Sequence, residues 1–184
     1  MSNITSTPEE TRCRETFHVL MNALAHPGQS KRLPIADENT LEALQVIGQT
    51  LLDLETSFYT PDPNLRETLS MTRARFLDCD QAAYQFYVQD GQDLRVALHQ
   101  APVGTMLYPD QSATLFVGCH FINEMPLTLA GPGIHGERQF PGCDLPASFW
   151  RTRAELIQYP LGWDLYLVYG SQLVGIPRTT QVNL

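Results

Sequence analysis

The chain has 184 residues, 43% hydrophobic and 17% charged, with 20 acidic side chains against 12 basic ones and a formal net charge of −8. That length suits one domain burying about 70% of its unfolded surface, and the composition is globular, setting aside disordered and fibrous classes. The acidic balance, without a basic run, argues against nucleic acid and against an anionic membrane as partners.

Thr7-Pro8-Glu9-Glu10 predicts a helix start, with a threonine cap, proline at the first helical position and glutamate three residues after the cap. Phe17, Leu20, Met21 and Leu24 follow at helical spacing as one apolar stripe, and His26-Pro27-Gly28 stops the helix. Gln29 to Asn39 reads as a polar connecting segment ending in the capping cluster Asp37-Glu38-Asn39-Thr40. Leu41, Leu44, Ile47, Leu51 and Leu52 then mark a second amphipathic helix. Thr56 to Thr60 is a short strand of β-formers, and Asp62-Pro63 opens a third helix expected to carry Leu65, Leu69 and Thr72 to Phe76. Ala82 to Val88 is an aromatic strand ended by Asp90-Gly91, and Gln92 to His99 a short helix.

Ala113 to Cys119 predicts a buried strand, with Pro126 to Ala130 as its partner after a loop. Asp144-Leu-Pro-Ala-Ser starts a last helix bearing Phe149, Leu156 and Ile157. That helix leads into a hairpin whose strands are Asp164 to Tyr169 and Leu173 to Ile176. Leu165, Leu167 and Tyr169 alternate onto one face. Gly170-Ser171 supplies the two-residue turn, glycine first as a type II′ turn requires, and Pro177 closes the return strand because it has no N–H for the ladder. Helices and strands alternate early and hairpins dominate later, which predicts an α/β, three-layer αβα domain with a mixed sheet spanning residues 1–184.

No apolar run approaches the roughly 18 residues of a membrane span. The polar, acidic start carries no signal peptide pattern, so a cytoplasmic protein is expected. Cys13, Cys79, Cys119 and Cys143 are scattered without a CxxC and read as small buried hydrophobes, not as zinc ligands or a redox pair. Cys119 and His120 are neighbours on a strand and point to opposite faces, so they do not form a nucleophile–base pair.

The cations are eleven arginines and one lysine, Lys31. Arginine suits bidentate contacts to carboxylate or phosphate, in ligands or at interfaces. Arg178-Thr179-Thr180 sets a planar donor fork beside two hydroxyls at a strand end, either an oxyanion grip or an arginine pairing with a carboxylate at a sheet edge or subunit contact. Gly131-Pro-Gly-Ile-His-Gly136 satisfies G-x-G-x-x-G after a predicted strand. Pro132 removes a backbone donor, however, and Glu137 to Gly142 cannot open a long helix, so a dinucleotide site is not expected. Gly131 and Gly133 instead mark a turn that a ligand or backbone approaches closely, with Arg138 nearby. The Arg12/Arg14, Arg73/Arg75 and Arg151/Arg153 pairs fall on predicted helices, where residues two apart do not share a face. Glu10/Arg14 and Arg151/Glu155 have the spacing of surface ion pairs, and solvated faces or interfaces are the expected use. A lone lysine in a polar segment offers no Schiff-base site for pyridoxal phosphate.

Four motifs together resemble a known family: Phe17-x-x-Leu-Met-x-Ala-Leu-Ala-x-Pro-Gly28, Leu129-Ala-Gly-Pro-Gly-Ile134, Pro160-Leu-Gly-x-Asp-Leu165 and Gly175-Ile-Pro-Arg-Thr-Thr180. The family is PhnH, a subunit of the carbon–phosphorus lyase system. The resemblance implies a fold similar to pyridoxal-phosphate-dependent transferases but without the cofactor. It implies a homodimer that joins the core subunits PhnG, PhnI and PhnJ. With PhnL, that assembly displaces adenine from ATP with a phosphonate, giving ribose 1-phosphonate 5-triphosphate, while the radical cleavage belongs to PhnJ. No catalytic residue is carried over. The expected role is scaffolding or co-catalytic, the alternative a stand-alone phosphate- or phosphonate-binding transferase. The candidate anion-binding or interface residues are Arg138, Arg178, Thr179, Thr180, Gly131 and Gly133, the expected alternative to a pure interface being a site shared with ATP or phosphonate, with no metal.

Overall fold

The computed structural model describes residues 6–36, 39–88, 94–123 and 125–184. In chain order the first elements are α1 (Pro8–Ala25), β1 (Ser30–Arg32), α2 (Thr40–Leu51), β2 (Ser57–Tyr59) and α3 (Pro63–Ser70). β3 (Arg75–Phe76), β4 (Tyr84–Tyr87), α4 (Leu94–Gln100), β5 (Thr114–Gly118) and β6 (Leu127–Ala130) follow. The chain finishes with β7 (Glu137–Phe140), α5 (Ala147–Leu156), β8 (Asp164–Tyr169), β9 (Gln172–Ile176) and β10 (Gln181–Asn183). Seven strands form one sheet in the order β1-β9-β8-β5-β4-β2-β3, and three form another in the order β10-β6-β7. The large sheet is mixed: β3, β2, β4, β5 and β8 run parallel, whereas β9 is antiparallel to β8 and β1 to β9. The small sheet is wholly antiparallel.

Both faces of the large sheet are covered, and the strand sequences show why. β8 reads Asp-Leu-Tyr-Leu-Val-Tyr, with only its ends polar or exposed. Leu165 and Leu167 enter one core with Leu115, Val117, Phe149 and Trp150, which brings α5 and the small sheet onto that face. Tyr166 and Val168 enter the other, with Phe86 and Phe116 packed under Leu20, Leu44, Ile47, Leu65 and Leu69 of α1, α2 and α3. A strand buried on both sides reads as a nearly continuous apolar run, as parallel strands under helices do. The rings of Phe86, Phe116 and Tyr166 stack across three adjacent strands with centroids 5.0 and 4.9 Å apart. Tyr166 also donates its hydroxyl to Leu20 O at 3.1 Å, tying the sheet to α1.

The helix starts form as the sequence predicts. Thr7 Oγ1 accepts from Glu10 N and Glu10 Oε2 accepts from Thr7 N, a complete capping box. Asn39 caps α2 through Leu41 N at 2.8 Å, and Asp62 caps α3 through Leu65 N at 2.7 Å. The terminal hairpin pairs Tyr169 with Gln172 across Gly170-Ser171, with Gly170 at φ +52°.

Several expectations give way. The segment after Gly28 is polar yet contains β1, which needs no apolar side chains because it is an edge strand paired only to β9. Lys31 therefore lies on that strand, with Nζ bound to Gln29 Oε1 at 3.0 Å. α3 stops at Ser70: the Thr72 hydroxyl bonds back to Leu69 O and accepts from Ala74 N, and Arg73 takes a left-handed φ of +66°. Residues 75–76 then form β3, so Arg73 and Arg75 are not helical. β6 is not a partner of β5; it crosses into the second sheet. On α1 the buried residues are Thr16, Leu20 and Ala23, whereas Phe17 and Met21 are 48% and 55% exposed. Tyr169 is likewise exposed at its strand end. Asp37, Glu38, Asp90, Gly91 and the first residues of the predicted 92–99 helix lie outside the described residues. No helix among the described residues is long and apolar enough to cross a membrane.

Candidate functional site

Residues Pro177 to Thr180 carry the chain from β9 in the large sheet to β10 in the small one. Thr180 N donates to Pro177 O at 2.9 Å, closing a turn. Within it Arg178 is held on three sides. Its backbone N–H and Nε donate to Asp164 Oδ1 at 2.8 and 3.4 Å, Nη2 to Asp164 Oδ2 at 3.0 Å, and Nη1 to Pro109 O at 2.6 Å. Asp164 opens β8, so this pair locks the open end of the hairpin to the Pro109 loop. The guanidinium fork therefore meets a carboxylate, bidentately, at a strand end.

A second arginine approaches the same turn from α5. Arg153 is 2% exposed and donates Nη1 to Thr180 O at 3.1 Å and Nη2 to Pro177 O at 2.9 Å. Its Cζ lies 5.9 Å from the Trp163 ring centre. Burial lowers its pKa to about 10, with Asp164 pulling the other way. Asp164 is already bonded to Arg178, and Arg153 itself touches carbonyl oxygens, with no carboxylate among the described residues within ion-pair reach. The expectation of a solvated helix face fails for this residue. The signal was present: Arg153 stands four residues after Phe149 and three before Leu156, on the buried stripe of α5.

Against this turn lies a cavity of about 310 Å³, lined by Arg153, Ala154, Ile157, Tyr159 and residues 178–183. Arg153 Nε and Thr180 Oγ1 are shielded from solvent and have no hydrogen-bond partner. Thr179 and the half-buried Arg178 complete the polar side of the wall.

The glycine motif divides. Gly131, at φ +136°, lies against the turn: a Cβ there would sit 2.7 Å from Thr179 O. Gly133, at φ +82°, packs on α1, where a Cβ would meet Ala25 O at 2.6 Å and Pro27 Cδ at 2.9 Å. Arg138 joins Gly133, donating Nη1 to Pro27 O at 2.8 Å. The structure thus gathers Gly131, Arg178, Thr179 and Thr180 at one place and Gly133 with Arg138 at another. The 131–136 loop connects antiparallel β6 and β7, so it does not itself open a helix.

A separate cluster sits at the end of β5. His120 Nδ1 lies 3.0 Å from Asp144 Oδ2, and Asp144 Oδ1 accepts from His120 N at 2.9 Å. The His120 ring meets Tyr169 edge-on with centroids 5.0 Å apart. Cys119 is buried beside Cys143, and the hydrogen bond between the thiols, with burial, pushes the Cys119 pKa up. Cys119 and His120 do face apart, one buried and one exposed. Sequence spacing could not show that the two thiols meet. Glu10/Arg14 and Arg151/Glu155 form no ion pair among the described residues, and the Glu10 carboxylate is spent on the α1 cap.

Residues 7–183 match a family described as "Bacterial phosphonate metabolism protein (PhnH)". The chain is also 31% identical over 175 residues to a protein of Stutzerimonas stutzeri described as "Putative C-P lyase subunit protein HtxG", an alignment covering 94% of this chain and 87% of the relative.

Proposed function

We propose a function from one premise: the chain belongs to the PhnH family of bacterial phosphonate metabolism proteins. Membership gives it a role in phosphonate catabolism. Within that role it acts as a subunit of the carbon–phosphorus lyase assembly. The observation that carries this is its near end-to-end likeness to a relative described as such a subunit. The assembly is formed with PhnG, PhnI and PhnJ, this chain enters it as a homodimer, and the compartment is the cytoplasm. The reaction served is displacement of adenine from ATP by a phosphonate, yielding ribose 1-phosphonate 5-triphosphate.

The contribution of this chain is scaffolding or co-catalytic. Arg178 and Arg138, the arginines the sequence offers first, have guanidinium hydrogens committed to Asp164, Pro109 and Pro27, contacts that fix the chain's own turns. Co-purification with the neighbouring gene products, followed by a transferase assay with and without this chain, tests the reading. The expected result is an active assembly that fails on its omission and an isolated chain that turns over neither ATP nor methylphosphonate. Robust turnover by the purified chain alone overturns it.

The likeness to pyridoxal-phosphate-dependent transferases without the cofactor belongs to the same reading. Its support is the position of Lys31, on the outermost strand and bound to Gln29. Borohydride reduction followed by intact mass measurement checks it; a pyridoxyl adduct on Lys31 would remove that support. A second reading, a stand-alone phosphate- or phosphonate-binding transferase, is favoured by the arginine-lined cavity beside Thr179 and Thr180.

A further inference from the structure

We infer that the outer edge of β1, roofed by one flank of α1, is a docking site for an extended, acidic segment of a partner protein, which pairs with β1 as an added strand. The inference rests on the assembly reading and names a surface through which the assembly holds this chain. The ladder sets the geometry. Leu33 N donates to Ser171 O at 2.8 Å, and the register places Lys31 opposite Leu173. Hydrogen-bonded pairs alternate along an antiparallel ladder, so Lys31 shares its bonds with Leu173, whereas the N–H and C=O of Ser30 and Arg32 turn outward. β1 ends the sheet, so among the described residues no further strand meets those groups. A row of outward backbone donors and acceptors is a template for one more strand.

α1 lies over β9 and β1, whereas α2 lies over β8 and β5. Arg12 reaches toward α2, donating Nη2 to Gln49 Oε1 at 3.4 Å, and Thr16, Leu20 and Ala23 are buried. Phe17 and Met21, one helical turn apart, therefore occupy the flank away from α2, above the sheet margin, and both are exposed. Lys31 lies on this side of the sheet, because its partner Leu173 enters the core beneath α1. An added strand would set apolar side chains under Phe17 and Met21 and a charge beside Lys31. Charge then selects the occupant. The chain carries a net −8, yet this margin presents Lys31 and Arg32, with Arg14 one turn before Phe17 on α1. None of the three is in an ion pair among the described residues. A second copy added about a two-fold axis would set the two Lys31 side chains opposite each other, a destabilising like-charge pair. A short edge bearing lysine also resists indiscriminate pairing. A mate that supplies carboxylates removes both objections.

The probe is the set of neighbouring gene products, co-expressed and purified without this chain. Their binding to the full-length chain is measured by biolayer interferometry, and amide exchange by mass spectrometry. Arg32→Pro deletes an outward N–H that β9 does not use, at a position where an edge strand tolerates proline. It should weaken binding about tenfold or more, and by more than Arg32→Ala, which keeps the N–H. Phe17→Ser should weaken binding by a similar factor, and it serves where Arg32→Pro does not fold. In the parent, the amides of Ser30 and Arg32 should exchange more slowly in the assembly than in the isolated chain. A parent that does not bind the neighbouring products overturns the assembly reading, and this inference with it. A parent that binds, with Arg32→Pro equal to Arg32→Ala or with those amides unprotected in the assembly, overturns this inference alone. Protection that grows with the concentration of the isolated chain would assign the edge to a second copy, and also overturns it.

Discussion

Replacing Asp164 by asparagine tests what holds the β9–β10 turn. Asparagine keeps the shape and one oxygen for the Arg178 backbone N–H, but loses the charge that binds the guanidinium at 3.0 Å. Breaking a fully buried pair costs about 3–5 kcal/mol. Both side chains here are 19% exposed, so partial screening brings the expectation to about 2–3 kcal/mol. For a chain of this length that is a fall in Tm of roughly 5–10 °C. The partner change, Arg178→Met, should cost less, because Asp164→Asn leaves two arginines without a carboxylate whereas Arg178→Met leaves Asp164 near Arg153. Urea unfolding at fixed protein concentration reads both, and the double variant should cost about 1–2 kcal/mol less than the sum of the singles. A loss under about 0.5 kcal/mol for Asp164→Asn, the range of ordinary surface changes, would refute the reasoning, as would strict additivity.

Gly175→Ala should destabilise by about 1–3 kcal/mol, since the added Cβ would stand 2.6 Å from the Ala23 carbonyl carbon and oxygen and push α1 off β9; thermal unfolding measures it. Thr7→Ala removes half of the capping box and should cost about 1 kcal/mol, with faster amide exchange confined to the first turn of α1. Stability should fall as pH rises beyond about 9–10, the ordinary thiol and phenol range. The hydrogen bond to Cys143 and burial raise Cys119, and burial raises Tyr87 and Tyr166. The folded state therefore holds protons that the unfolded chain releases, so unfolding becomes easier with each unit of pH. A flat urea midpoint from pH 8 to 10.5 would contradict this.

Where local chemistry decides, the sequence was legible. The caps at Thr7, Asn39 and Asp62 and the two-residue turn at Gly170-Ser171 depend on residues close to one another, and all formed. Partner choice between distant strands was not legible. Residues 127–130 look like a mate for 114–118, yet β5 takes β4 and β8 as parallel neighbours, and β6 pairs with two mostly polar strands, β7 and β10, each with one apolar residue, Phe140 and Val182. Strands of three or four residues at a sheet edge need no alternating apolar pattern, which is why β1, with no apolar residue, and β7 and β10, with one each, leave no readable signature. The site shows the same division. Arg178 was found from its motif, and its pairing with a strand-end carboxylate was one of two stated alternatives. Arg153 departs from the expected solvated face or interface because charge usually means exposure, whereas its spacing from Phe149 and Leu156 puts it on the buried side of α5.

The β9–β10 connection joins two sheets within four residues, and the groups that brace it are those nearest the cavity. That coincidence decides which substitutions can speak about function. Arg178→Ala removes the contacts to Asp164 and Pro109 together, so any loss of activity it causes follows from a displaced turn whether or not an anion binds. The Thr180 hydroxyl is different: it is shielded from solvent, it bonds to nothing among the described residues, and it is the Thr180 backbone that supports Arg153. Removing that hydroxyl leaves every brace in place. Arg178→Ala and Thr180→Val thus separate the turn as a joint from any other use of it: the first must lower stability whatever the turn contacts, and the second, at nearly unchanged stability, changes activity only if the region around Thr180 meets a ligand or partner.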